Sequence, residues 1–241
     1  MSYENGIYLN SKHSYIDFKA WLKSKKISYP AKKKITETVP YMQGVYDFSL
    51  LYDNQVYEER TLEYEFELVA NKTEYGFQKE ELNARTTEFI NWLKESPKVK
   101  LIDDDFPGYF FMAEAEESIE PEEKFMTATI SVKFKAYSFK IKMDYEGNTK
   151  WDTFNFLYDT LQETQFDING SKNITLINNG SKSVIPEINC LGYFTIEHDS
   201  KTYKVSSGVT KDYRFKLFKG ENKISVFGKG TIEFKYRIEV L

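Results

Sequence analysis

From Arg60 to Leu68 the chain alternates strictly: Leu62, Tyr64, Phe66 and Leu68 are apolar, and Glu63, Glu65 and Glu67 stand between them. Successive side chains of an extended chain point to opposite faces, so this run has one apolar and one charged face as a strand. As a helix it would have no coherent face. A half-buried strand with a charged outer surface is therefore the element around which the rest must be arranged. The pattern returns between Phe125 and Phe139, where Ile130, Val132, Phe134 and Ala136 share a face. Shorter strand candidates are Gly6–Leu9, Thr36–Pro40, Val45–Leu51, Lys98–Ile102 and Tyr109–Ala115. Tyr15–Leu22 opens with alternation and ends in an apolar pair. With 18 Tyr and 19 Phe among 241 residues, the composition also favours pleated, half-buried surfaces.

One segment breaks the period. Leu82, Phe89, Ile90 and Leu93 recur at helical spacing, which predicts a helix over about 74–95. Thr73 is the expected N-cap, and Pro97 ends the helix because it lacks an N–H and disfavours helical geometry at Ser96. After Phe139 no further long helix is expected. Short strands there alternate with turn signals such as Asn169-Gly170-Ser171, Asn178-Asn179-Gly180-Ser181 and Gly228-Lys229-Gly230, the pattern of an antiparallel sandwich. The charge balance shifts at the same place. Residues 1–138 carry 18 Lys+Arg against 24 Asp+Glu, and residues 139–241 carry 15 against 13. The reading is a mainly β protein of two domains, 1–138 with the helix and 139–241 without one.

The chemistry of catalysis is thinly represented. His13 and His198 have no second His or Cys at metal-ligand spacing, and a zinc site built on the single Cys190 is not expected. Cys190 lies in an apolar strand-like segment and reads as a small core residue. There is no Gly-x-Ser-x-Gly and no phosphate-cradling Gly-x-x-x-x-Gly-Lys-Ser/Thr. Asp103, Asp104 and Asp105, with Glu114 or Glu116 as partner, are the best candidates for a carboxylate pair of glycosidase type. Three Asp before Phe-Pro-Gly more often make a turn that satisfies its own backbone. The expectation is no enzyme, no cofactor and no metal. A net charge of −4 argues against a nucleic-acid-binding protein, and no apolar run is long enough for a membrane span. The N-terminal residues show no secretion signal, so synthesis in a cytoplasm is expected. The lysines from Lys23 to Lys34 read as a solvated face.

Several segments, in order, resemble the distal tail proteins of siphophages that infect Gram-positive bacteria. These are Asn5-Gly6-Ile7, Val39-Pro40-Tyr41-Met42-Gln43-Gly44-Val45-Tyr46-Asp47, Tyr57-Glu58-Glu59-Arg60-Thr61-Leu62, Asn91-Trp92-Leu93 and Lys100-Leu101-Ile102-Asp103-Asp104-Asp105-Phe106-Pro107-Gly108-Tyr109. In the second half Pro186-Glu187-Ile188, Gly192 and Lys219-Gly220-Glu221-Asn222 are similar. Tyr137-Ser138 departs from the family's aromatic-Pro pair. The resemblance implies an N-terminal domain that forms a hexameric hub ring and a galectin-like C-terminal sandwich that projects outward. It implies contacts to the tail tube protein, a tail-associated baseplate protein and receptor-binding proteins at the virion tail tip, after assembly in the host bacterial cytoplasm. Tyr41, Met42, Gln43 and Arg60 are the assembly contacts this suggests. Glu114, Glu116 and Glu117 are the acids expected to face the lumen, where DNA passes without being bound. The alternative is a carbohydrate-binding sandwich for host adhesion, with Trp151, Tyr193 or Tyr203 stacking on a sugar.

Overall fold

The computed structural model describes residues 5–49, 55–73, 76–77, 79–95, 97–147 and 160–241. Trp151 lies outside them. The chain divides into two compact units, one ending at Lys140 and the other running from Ile141 to Val240.

The first unit opens with β1 (Ile7–Leu9), β2 (Lys12–His13) and a short helix α1 (Ser14–Phe18). Next come β3 (Trp21–Ile27), β4 (Thr36–Glu37), β5 (Tyr46–Asp47) and β6 (Arg60–Val69). The small strands β7 (Lys72–Thr73) and β8 (Gly76–Phe77) precede α2 (Lys79–Lys94). The unit closes with β9 (Val99–Asp103), β10 (Tyr109–Ala115), β11 (Pro121–Glu123) and β12 (Thr127–Ala136). The main sheet runs β2-β1-β9-β10-β12-β6-β3, with β11 added on β12. The alternating run is β6, paired over its whole length with β12 from Arg60↔Ala136 to Val69↔Thr127. Its four apolar residues are all at most 2% exposed.

Helix α2 lays Leu82, Phe89, Trp92 and Leu93 into the same core as the sheet's apolar face. Phe89 touches Phe18, Phe66 and Trp92 at centroid distances of 5.2–5.5 Å. The Trp92 indole N–H donates to the Leu9 carbonyl at 3.0 Å, so burying this large ring strands no donor. Arg85 on α2 donates to the carbonyls of Val69 and Phe18. The helix starts five residues later than its pattern suggests, and Thr73 sits in β7 opposite Gly76 rather than at a cap. The alternation that opens Tyr15–Leu22 falls in α1, so it does not mark a strand there. His13 caps that helix: its Nδ1 accepts from the N–H of Tyr15 and of Ile16.

The strand β13 (Lys140–Lys142) carries the chain into the second unit. There β14 (Gln165–Asn178), β15 (Glu187–His198), β16 (Lys201–Val205), β17 (Gly208–Thr210), β18 (Gly220–Lys235) and β19 (Glu239–Val240) follow. The five-stranded sheet runs β14-β18-β15-β16, with β17 on β15. On β14 and β18 the even-numbered residues are buried at both ends, on either side of a stretch around Gly170 and Gly228. Gly170 faces Gly228, Gly192 faces Gly230, and all four have positive φ. Glycines in adjacent rungs are the device by which long strands coil tightly around one core. That core is built from Ile174, Leu176, Phe194, Ile196, Phe215, Phe234 and their neighbours.

Candidate functional site

The acidic turn after β9 is fully occupied by structural bonds. Asp103, 1% exposed, accepts from the Tyr64 hydroxyl at 2.9 Å, the Lys25 ammonium at 2.6 Å and the Asp105 N–H at 2.9 Å. Burial, and then the Asp103 charge, push the Tyr64 phenol well above its ordinary pKa. Asp104 accepts from the Gly6 N–H and meets His13 Nε2, both at 3.0 Å. Because His13 Nδ1 already accepts two backbone N–H groups, Nε2 carries the ring proton and donates to Asp104. Asp105 accepts from Asn5 and pairs with Lys25. The three acids thus fasten the start of the chain, β2, β3 and β6 to the end of β9, and beyond the Asp103–Asp105 bond within the turn their partners are distant in sequence. Glu114 stands half-exposed on β10 opposite Lys135 and joins none of these contacts.

Cys190 is 1% exposed, and its thiol lies 3.0 Å from the Ser206 carbonyl oxygen. Burial pushes the thiol upward, away from a reactive thiolate. His198 is also buried, with ring nitrogens 3.2 and 3.0 Å from the carbonyl oxygens of Lys223 and Lys216. Among the described residues no group of three or more His, Cys, Asp or Glu is placed to hold a metal. No described helix is long and apolar enough to cross a membrane.

What the chain does offer is surface. The strands β4 and β5 form a hairpin whose flanks and tip expose Ile35, Val39, Tyr41, Val45, Tyr46 and Phe48 at 39–107%. Tyr41 sits at the tip with a φ of 68°, Met42 is half-buried and Gln43 is exposed. The hairpin is held by a Lys34–Asp47 ion pair and by Tyr46 stacked on Phe48 at 6.1 Å. An isolated two-stranded hairpin is marginal in water, and clustered exposed apolar residues mark contact surfaces. Sequence reasoning placed Val39, Val45, Tyr46 and Phe48 in strands but did not name them as contact residues. The available signal was the density of apolar residues in Val45-Tyr46-Asp47-Phe48, too high for a strand with one solvated face.

The other candidates are scattered. Arg60 opens β6 but points inward and is only 2% exposed, apart from the exposed hairpin tip. Glu116 pairs with Lys135 and Glu117 with Lys133, along a groove that also holds Glu59 and Thr61. In the second unit Tyr193 is 79% exposed on the outer face of β15, next but one to Leu191 at 73%. Tyr203 is 9% exposed, with its ring edge-on to Phe215 and its hydroxyl on the Arg214 carbonyl. Its ring is committed to the core and offers no open stacking face.

The family model of the phage tail protein RIFT-related domain matches residues 11–136. No curated protein matches by sequence. Among solved structures, the SPP1 Dit protein, described as a paradigm of the hub adsorption apparatus in phages that infect Gram-positive bacteria, has a similar fold. The TM-score is 0.65, over 97% of this chain and 99% of that one, at 11% identity. At that identity the likeness is one of fold. Together the two findings agree with the siphophage tail resemblance carried by the sequence segments.

Proposed function

Since the chain belongs to the phage tail protein RIFT-related domain family, we propose that it is a distal tail protein whose copies close into a hexameric hub ring. The ring joins the tail tube to the tail-associated and receptor-binding proteins of the tip. The observation that carries this reading is the β4–β5 hairpin. Its apolar side chains join no core among the described residues, and a head-to-tail ring gives each copy one such arm and one surface to receive it. Tyr41, at the fully exposed tip, is the central contact, with Met42 and Gln43 beside it. Glu114, Glu116 and Glu117 face the bore. The acidic balance of residues 1–138 keeps DNA from adhering as it passes, since phosphate contacts by Lys and Arg would hold it.

The test is the double substitution Tyr41→Ser with Val45→Ser. Both residues are exposed, so the fold and its circular dichroism should be unchanged. The oligomer expected of the native chain should fall to monomer by light scattering. An oligomer that survives unchanged would move the ring contact away from the arm. The exposed Tyr193 favours a second role, a stacking platform for a sugar on the outer face of the second unit. Glycan binding by the full chain that disappears with Tyr193→Ser would establish that role.

A further inference from the structure

The Arg60 guanidinium lies against two aromatic rings, 5.7 Å from the Tyr29 centroid and 5.5 Å from that of Phe111. Its Nε and Nη2 are shielded from solvent and have no hydrogen-bond partner among the described residues. Those two nitrogens form one edge of the guanidinium. Their N–H bonds run nearly parallel, which suits both oxygens of one carboxylate or two of a phosphate. The same chain holds an occupied example: Arg214 bonds Asp212 through Nε at 3.0 Å and Nη2 at 2.7 Å.

A second cation stands close by. Lys140 lies 5.1 Å over Phe106 and 5.6 Å over Tyr109, and Phe106 meets Phe111 edge-on at 6.0 Å. Burial lowers the pKa of both cations, and the Arg60 charge lowers that of Lys140 further. The buried acid Asp103 is already committed to Lys25 and Tyr64. Two like charges at the edge of an aromatic cluster, one with its donor edge empty, are costly unless an anion joins them.

We propose that Arg60 and Lys140 form an oxyanion site, with Arg60 Nε and Nη2 taking two oxygens of one anionic group and Lys140 supplying the second positive charge. Tyr29, 77% exposed, is the side chain an incoming anion moves aside. The anion has two sources, a free ion such as phosphate or an acidic side chain of a second copy. Only the second source rests on the ring reading.

Thermal unfolding of the full chain in low-millimolar phosphate and in chloride at equal ionic strength reads the free ion, since general salting-out is small there. Phosphate should raise the native melting temperature, not that of Arg60→Met, and less in Lys140→Met. Arg214→Met should respond like the native chain. If phosphate has no effect, the second-copy source requires that Arg60→Met weaken self-association by about tenfold or more. Arg60→Lys, which lacks the paired edge, should then fail to restore it. Native-like circular dichroism in Arg60→Met and Lys140→Met excludes unfolding as the cause. Native and Arg60→Met chains that respond to phosphate alike and associate alike overturn the site. They leave the ring reading standing if both still associate.

Discussion

Tyr64 and Asp103 show how this chain uses polar groups inside its core. The phenol sits in the apolar stripe of β6, yet its hydroxyl donates to a buried carboxylate that Lys25 also holds. Tyr64→Phe keeps the ring and removes one hydrogen bond to a charged group. It should cost about 1.5–3 kcal/mol, read as a lower urea midpoint at unchanged slope. Asp212 gives a test of pairing by titration. The Arg214 guanidinium, and then the Arg214 N–H, lower its carboxyl from 3.8 to about 2. A lowered value stabilises the folded state above pH 3.8, and that contribution fades as pH falls through about 2. In Arg214→Met the carboxyl should titrate part of the way back toward 3.8 by NMR, because the backbone N–H remains. The acidic turn was legible in sequence from the run Asp103-Asp104-Asp105 before Pro107-Gly108, but its partners Tyr64, Lys25, Gly6, His13 and Asn5 were not, because they lie far from it in the chain. The burial of Arg60 was not, because its cover comes from Tyr29 and Phe111, which lie far from it in the chain.

At the scale of elements, period decided what could be read. β6 and β12 are ten residues each, long enough for alternation to be unambiguous. The helix was visible from its stripe, but its start was not. The residues before it pair as β7 and β8, and a plausible cap at Thr73 lost to that pairing. Helix α1 spans five residues, too few for a period, and its cap is a histidine rather than a Ser, Thr, Asp or Asn. The coiling of the second unit rests on glycines whose role shows only in register. A Cβ on Gly230 would lie 1.9 Å from the Leu191 carbonyl oxygen, at a φ of 131°. Gly230→Ala should therefore destabilise the second unit by about 1–3 kcal/mol, seen as faster amide exchange along β15 and β18. Unchanged exchange there would mean that β15 and β18 accommodate the added Cβ with their pairing intact.

At the scale of the molecule, the sequence indicated a mainly β chain with one long helix and a β-sandwich-like second half, and the fold agrees with that. The strands of the β4–β5 arm and its turn were legible as the runs Thr36–Pro40 and Val45–Leu51, but the exposure of their apolar side chains was not, because alternation does not show which face is left uncovered. An arm of exposed Val, Tyr and Phe and the tail family's own domain over residues 11–136 are both in keeping with a structural protein of a phage tail. The most direct test is the mass of the purified full chain by light scattering over a range of concentrations, with negative-stain imaging of the largest species. A closed ring of about six copies is the expected result. A chain that stays monomeric at every concentration would contradict the claim that its own copies carry the ring contacts.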